Sequence, residues 1–278
     1  MKLLSVAVIL QALAATSAFS VLPRAPAAVS KTQLAMDPMF GRTSPGVTSK
    51  TAGWELSQIS PQVRIEGLTR HSFQFYDSSR EVTQVALTSN GRPVDADIEL
   101  WIGPDWTPVK IHAYSEDGKQ FPVQTLVGTR NKAANLEIKN TNPGEYPINA
   151  AASYAIEPLS NVRADLSAQG PGRYVEGGSK YVESFAADVN QLQVLLETNG
   201  KMLNAKIEML NGPNNVKQEF EIFTNNGELN SLFVVFETPG QGNSVRVTNL
   251  ATMEFPLNVH FQASDVGSRG PESIANWS

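Results

Sequence analysis

The chain of 278 residues aligns with itself when it is shifted by 109 positions. Residues 84–149 match residues 193–258 without a gap, and 16 of the 66 aligned pairs are identical. A period of 109 residues is too long for a solenoid repeat and is the size of a small domain. The sequence therefore predicts two homologous domains related by internal duplication. The shared motifs are Asn90-Gly91 with Asn199-Gly200, Ala96 with Ala205, Ile98-Glu99 with Ile207-Glu208, Gly103-Pro104 with Gly212-Pro213, and Glu145-x-Pro147-x-Asn149 with Glu254-x-Pro256-x-Asn258.

Both copies alternate apolar and polar residues with a period of two. Ala96, Ile98 and Leu100 alternate with acidic residues, and the second copy repeats the pattern around Ile207. Such alternation puts one set of side chains on one face of a β-strand. Four Gly-containing dipeptides are typical of tight hairpin turns: Asn90-Gly91, Asp117-Gly118, Asn199-Gly200 and Asn226-Gly227. We predict an all-β fold with one β-sandwich in each copy.

Two segments precede the first copy and have the character of targeting signals. Residues 1–18 combine the basic Lys2 with an apolar run and small residues up to Ala18, which is typical of a signal peptide. Residues 19–54 hold four basic residues and a single acid, Asp37, as transit peptides do. The resulting domain prediction is a signal peptide at 1–18, a transit peptide at 19–54, sandwiches at 55–160 and 161–262, and a C-terminal tail at 263–278.

The junction between the two leader segments is Ala18-Phe19. It resembles the junction of bipartite plastid-targeting leaders in algae with secondary plastids, which implies a plastid protein. Plain secretion is the alternative, but it does not explain an acid-poor stretch behind the signal peptide. Cleavage of both segments would leave residues 55–278, with 17 Lys and Arg against 26 Asp and Glu and hence a net charge of −9.

The composition argues against several classes of function. An acidic chain without a basic stripe is not typical of nucleic-acid binders, and the apolar run at the N-terminus is too short for a membrane span. Cysteine is absent from the sequence, which excludes disulfides and thiolate chemistry. The three histidines, His71, His112 and His260, have no histidine counterpart in the other copy. We expect no enzyme activity, no cofactor and no metal.

Two shared acids, Glu99 and Glu208, invite comparison with the carboxylate pair of a glycosidase. They occupy equivalent places in different copies, and the alternation puts each on a polar strand face. We therefore expect each to be solvated or paired with a base on a neighbouring strand.

Four aromatic residues form a candidate subunit interface: Trp101, Trp106, Phe233 and Trp277. Trp101 and Phe233 lie on strand faces opposite the predicted core, so both faces of those strands are expected to be covered. One explanation is packing between the two domains. Another is contact with a second subunit, because Trp is enriched in such interfaces. A sugar-stacking role is a third alternative, and a frayed terminus is an equal alternative for Trp277.

The leader, the two all-β copies and the lack of a catalytic set together resemble the pyrenoid shell proteins of diatoms. The resemblance covers the chain from about residue 55 and depends on the duplicated motifs, which are structural in character. It implies two pseudo-twofold-related sandwiches that assemble into a sheet around the Rubisco condensate of the plastid. The implied partners are further copies of the chain, with Rubisco or other pyrenoid proteins as additional partners.

Two other functions stay open from the sequence. One is an accessory subunit of a photosynthetic complex in the plastid, and the other is a carbohydrate-binding β-sandwich protein. A test of self-assembly distinguishes a shell protein, which forms a lattice, from both of these alternatives.

Overall fold

A computed structural model describes residues 61–265, apart from 131, 156–157, 169, 239 and 241. These residues form sixteen strands and one helix, α1 (Leu159–Ala168), which lies between the eighth and ninth strands. The first eight strands are β1 (Val63–Ile65), β2 (Arg70–Phe75), β3 (Val82–Thr88), β4 (Val94–Trp101), β5 (Val109–Ser115), β6 (Val123–Gly128), β7 (Ala134–Asn140) and β8 (Ile148–Tyr154). The others are β9 (Arg173–Val175), β10 (Lys180–Ser184), β11 (Val189–Glu197), β12 (Leu203–Asn211), β13 (Val216–Thr224), β14 (Leu232–Glu237), β15 (Asn243–Asn249) and β16 (Leu257–Asp265).

The strands form two antiparallel sheets of eight strands each, which confirms the predicted all-β class. The first sheet has the order β1-β8-β3-β6-β14-β11-β16-β9, and the second has the order β10-β15-β12-β13-β5-β4-β7-β2. Within β1–β8, the two four-stranded groups are 1-8-3-6 and 2-7-4-5, and β9–β16 repeat this arrangement. That order, with the chain crossing repeatedly between the sheets, is the arrangement of an eight-stranded jelly roll.

The two halves join edge to edge, so that each sheet runs through both of them. In the second sheet β5 pairs with β13, and in the first sheet β6 pairs with β14. His112 faces Glu221 at one seam, and Thr125 faces Val234 at the other. Each of these pairs is separated by 109 positions, the offset of the sequence alignment. A register of this kind is what a twofold axis through both seams produces.

This shared sheet structure differs from the prediction of a separate sandwich for each copy. Pairing β5 with β13 and β6 with β14 removes four open strand edges, which are sites of unwanted association in isolated sandwiches. Helix α1 spans the predicted boundary between residues 160 and 161, and β16 extends three residues into the predicted tail at 263–278. The predicted boundaries themselves stay a prediction.

The four Gly-containing dipeptides lie in turns, but the hairpin prediction is wrong. Each dipeptide connects a strand of one sheet to a strand of the other, as between β3 and β4 or between β5 and β6. Neighbouring connections pack closely: the Gly118 amide donates to Arg92 O at 3.0 Å, and a Cβ on Gly118 would lie 2.4 Å from Val94 Cγ2. Gly118 is therefore required by close approach, whereas Gly91 has a positive φ of 71°.

The core lies between the two sheets and is built by the alternating residues. Ile98 and Ile207 are 1% and 0% exposed, as the alternation predicts. Phe220 and Phe236 make an edge-to-face contact at 5.6 Å across the sandwich. Burying such side chains contributes roughly 1.5–3 kcal/mol each, so the alternation determines which strand face becomes the interior.

Helix α1 packs on the outer face of the first sheet. Leu159, Val162 and Leu166 recur at helical spacing and are buried, as on the apolar face of an amphipathic helix. Pro158 precedes the helix, where its missing N–H costs nothing. Arg163 Nε lies 2.7 Å from Glu197 Oε2 of β11, and this ion pair ties the helix to the sheet.

Candidate functional site

The predicted interface residues fall into different environments. Trp101 ends β4, Trp106 lies in the loop between β4 and β5, and Phe233 lies in β14. Trp277 and the targeting junction Ala18-Phe19 lie outside the described residues. Trp101 and Trp106 therefore lie at the end of β4 and in the loop that follows it, whereas Phe233 lies in β14 of the other sheet.

Phe233 is not an accessible contact residue. Its side chain is 1% exposed and belongs to a buried cluster with Leu126, Leu195 and the apolar face of α1. The neighbouring residues of β14 point into the core between the sheets. Both faces of β14 are thus covered within the chain. The assignment of Phe233 to a subunit interface is corrected accordingly.

Trp106 is exposed and lies beside two cations. Its side chain is 40% exposed, Arg130 Cζ lies 5.1 Å from the centroid of its ring, and Lys132 Nζ lies 5.6 Å from the same centroid. Both distances are within the range of cation–π attraction. Because Arg130 and Lys132 follow β6, the fold brings them to the loop between β4 and β5.

A buried amide holds Arg130 in place. Arg130 Nε donates to Asn230 Oδ1 at 2.9 Å, and Asn230 Nδ2 donates to Thr224 Oγ1 at 2.9 Å. Asn230 is buried and comes from the second half of the chain, so the cluster lies where the halves meet. Partial burial lowers the pKa of the Arg130 guanidinium from its usual value. Since arginine stays charged in proteins, a cation is retained at this place.

Trp101 differs from Trp106 because its polar atom is hidden. The indole Nε1 is buried and has no hydrogen-bond acceptor among the described residues, although such groups are usually satisfied. The side chain lies at the end of β4, where Trp101 is in register with Asn135 of β7. Trp101 therefore leaves an unused donor in the same half of the chain as Trp106.

Arg130 and Lys132 were missed from the sequence. The alignment of the two copies could have identified them. In that alignment Trp101, Trp106, Arg130 and Lys132 correspond to Leu210, Asn215, Pro239 and Gln241. Aligned core positions keep their character, whereas these four positions lose the indole rings and the charges together. A joint difference of this kind marks a feature of one half alone.

The shared acids form cross-strand ion pairs, as expected. Glu99 Oε1 lies 3.2 Å from Lys110 Nζ on the neighbouring strand. Glu208 accepts two hydrogen bonds from Arg246, at 2.5 and 2.7 Å. These bonds lower the pKa of the Glu208 carboxyl against the opposing effect of burial. Each acid is occupied by its own base, so the geometry does not favour a catalytic carboxylate pair.

The histidines do not converge. His112 is half-buried, with Nδ1 2.9 Å from Asp97 Oδ1, and His260 Nε2 lies 3.4 Å from Glu197 Oε1 in the other sheet. His71 makes an edge contact with Phe73. Within residues 61–265 as described, no group of three or more His, Asp or Glu side chains is placed to hold a metal ion. In the same part of the chain, no helix has the length and apolar character needed to cross a membrane.

Four strands form the open edges of the two sheets. The first sheet ends in β1 and β9, which have three residues each, and the second ends in β10 and β2. Short edge strands limit uncontrolled pairing. Exposed apolar side chains occur on or near these edges: Leu68, Tyr76, Tyr174, Val182, Leu250 and Met253.

Comparison with known proteins identifies one family, and the similar solved structures include two distant likenesses. No curated protein matches the chain. The exported protein XepA of PBSX is 10% identical, with 72% of this chain and 85% of that chain covered and a TM-score of 0.25. Vicilin from tomato (Solanum lycopersicum) is 9% identical, with coverages of 73% and 74% and a TM-score of 0.20. Scores this low support no argument about function.

A family model described as diatom pyrenoid shell protein matches residues 54–263. The match spans most of the chain and takes in all sixteen strands except the last two residues of β16. The matched region includes both halves of the chain and the residues Trp106, Arg130 and Lys132. The chain belongs to the diatom pyrenoid shell protein family.

Proposed function

We propose that the protein is a structural, self-assembling protein that forms a sheet-like shell around the Rubisco-containing pyrenoid. The observation that carries this proposal is the family match over residues 54–263. In this role the protein works at the pyrenoid periphery in the plastid, needs no cofactor and catalyses no reaction. The shell supports CO2 concentration and carbon fixation, and its principal partner is a further copy of the chain.

The symmetry of the strand order supports this proposal. An internal duplication accounts for the mirrored order of both sheets and for the 109-residue offset at both seams. The halves are nevertheless not identical, since Trp106 and its cations occur only in the first. Contacts between non-identical surfaces propagate without closing, and such propagation builds sheets and filaments.

Electron microscopy of the purified residues 55–278 tests the proposal. Negative staining at tens of micromolar protein should show extended sheets or tubes without any added cofactor. A fluorescent fusion in the host should surround the pyrenoid. A monomer with native circular dichroism under all these conditions contradicts the proposal. Co-purification with a photosynthetic complex would then favour an accessory subunit, and binding on a glycan array a carbohydrate-binding protein.

A further inference from the structure

We propose that Trp106, Arg130 and Lys132 form a docking site for a carboxylate-bearing segment of a second copy of the chain. This inference rests on the proposed self-assembly and names the chemistry of one of its contacts. We call these three residues the cationic cluster.

The charges of the cationic cluster are not neutralised within the described part of the chain. No carboxylate there lies within ion-pair distance of Arg130 or Lys132, whereas five bases on the strands have such a partner. Within the described residues, Arg130 donates a side-chain hydrogen bond only from Nε, to Asn230 Oδ1. Its two terminal nitrogens face no acid of the described residues, and a guanidinium whose terminal N–H groups are available binds carboxylates in a two-pronged manner.

The cationic cluster is held in a fixed arrangement before any partner arrives. The hydrogen bond to buried Asn230 orients the guanidinium, and Arg130 has a positive φ of 58°, a backbone conformation that non-glycine residues seldom adopt. The Ile102 amide donates to Trp106 O at 2.9 Å and closes the loop that carries the indole ring. Preorganised groups lose little conformational entropy on binding.

The cationic cluster exists once in each chain. Its counterparts in the second half are Asn215, Pro239 and Gln241, which carry no charge and no aromatic ring. A single site on each copy must contact a different surface of its neighbour. Where no twofold axis relates the two copies, such a contact is heterologous and can extend an assembly.

A second copy is the occupant that the charge balance favours. Residues 55–278 carry 26 acids against 17 bases, so most of a neighbour's charged surface presents carboxylates. Two cations around an exposed Trp complement such a surface, and Trp and Arg are the residues that most often dominate protein interfaces. Attraction between the cationic cluster of one copy and the carboxylates of another then opposes the general repulsion between negatively charged copies.

Zero-length cross-linking identifies the partner directly. The processed protein, isolated from its host, is mixed in ¹⁴N- and ¹⁵N-labelled forms, allowed to assemble and treated with a carbodiimide, which joins an amine to a carboxylate in contact with it. Peptide mass spectrometry should find Lys132 linked to an Asp or Glu of the other isotope. Cross-links of Lys132 only within one isotope, or none in assembled material, overturn the proposal.

Charge reversal gives an independent readout. Lys132→Glu should raise the protein concentration needed for assembly about tenfold or more, the change expected from about 1.4 kcal/mol per contact. The matched control is Lys201→Glu, since Lys201 Nζ lies 6.0 Å from the Phe255 ring in the second half and the change in net charge is the same. Equal effects of the two variants overturn the docking site.

The outcomes separate this inference from the proposed function. Assembly by the wild type together with normal assembly by Lys132→Glu and Trp106→Ala removes the docking site and leaves the shell intact. Failure of the wild type to assemble contradicts the proposed function itself. Circular dichroism of each variant verifies the fold, so that lost assembly is not confused with unfolding.

Discussion

At the scale of single residues, equivalent positions of the two halves perform the same work. Asn140 Nδ2 donates to Ile65 O at 3.1 Å and to Tyr146 O at 2.9 Å. Asn249, 109 positions later, donates to Val175 O and Phe255 O at the same two distances. Both amides are buried, so each repeated Asn joins an edge strand to the loop that follows its own strand.

Ile98 and Ile207 should therefore matter alike. Truncation of either to Ala removes fully buried methyl groups from the core and should cost about 2–5 kcal/mol of unfolding free energy. Denaturant unfolding of each variant measures the loss. Asn204→Ala, on the outward face of β12, is the control and should stay within about 0.5 kcal/mol. Losses below about 1 kcal/mol at both isoleucines would contradict the assignment of the strand faces.

The Glu208–Arg246 pair should make stability depend on pH. The pKa of Glu208 is lowered in the folded state, mainly by hydrogen bonds from Arg246. Its contribution is thus complete above the pKa of an unfolded Glu, near 4.3, and is lost as the pH falls through the lower folded pKa. At pH 7, Glu208→Gln should cost about 1.5–3 kcal/mol.

Unfolding free energies measured from pH 7 to pH 3 test this sign. The difference between the wild type and Glu208→Gln should shrink below about pH 4. Glu99→Gln serves as the control, because its partner Lys110 is largely exposed and exposed pairs contribute about 0–1 kcal/mol. A difference that grows toward acid pH would show that burial, rather than the ion pair, dominates at Glu208.

At the scale of elements, the connections between the sheets depend on close packing of their backbones. Gly118 and Gly227 occupy equivalent connections, and their amides donate to Arg92 O and Lys201 O. A Cβ on Gly227 would lie 2.6 Å from Thr198 Oγ1 and 2.7 Å from Leu203 Cβ. Two neighbouring connections therefore meet at each of these glycines, which explains why the dipeptides recur in both halves.

Gly118→Ala and Gly227→Ala should each destabilise the fold by about 1–3 kcal/mol, because the added methyl group displaces packed neighbours. Thermal unfolding followed by circular dichroism measures the effect. Gly144→Ala is a matched control: apart from Gly144 and its two chain neighbours, no described residue has a heavy atom within 4 Å of the added Cβ, and the φ of Gly144 is not positive. Equal melting temperatures for Gly118→Ala and Gly144→Ala would contradict the packing explanation.

At the scale of the whole molecule, the seams make one continuous sandwich of two related halves. All described residues belong to a single compact unit at 41–278. Under the proposed self-assembly, the open edges of both sheets and the cationic cluster are distinct surfaces that a neighbouring copy can contact. Targeting and assembly are properties of the whole chain, and one prediction concerns each of them.

The leader should direct a reporter to the plastid, because Phe19 directly follows the predicted signal peptide. Phe19→Ala should leave the reporter outside the plastid, and fluorescence microscopy of the fusion shows the difference. A conservative Phe19→Tyr fusion, which retains an aromatic ring, is the control. Unaltered import of the Phe19→Ala fusion would argue against a bipartite leader.

Assembly of residues 55–278 should increase with added salt. The net charge of −9 opposes association, and salt screens that repulsion over about 8–10 Å at physiological strength. Light scattering across a salt and concentration series measures this. Trp101→Glu, or removal of 266–278, should leave a folded unit that no longer extends. The deletion starts after Asp265 because β16 reaches that residue. Scattering that falls steadily with salt would contradict this expectation and would show that the attraction at the cationic cluster outweighs the net repulsion.

The sequence by itself determined the strand faces, the position of Glu99 and Glu208 on polar strand faces, and the family. These depend on a period of two and on the 109-residue repeat, which are local or internal to the chain. Only the tertiary structure decided that the halves share sheets, that Phe233 lies beneath α1 and that the dipeptides connect the sheets. It also brought Arg130 and Lys132 to Trp106. Hydrogen bonding across the β5–β13 and β6–β14 seams joins residues more than 100 positions apart, and such pairing leaves no trace in a local pattern.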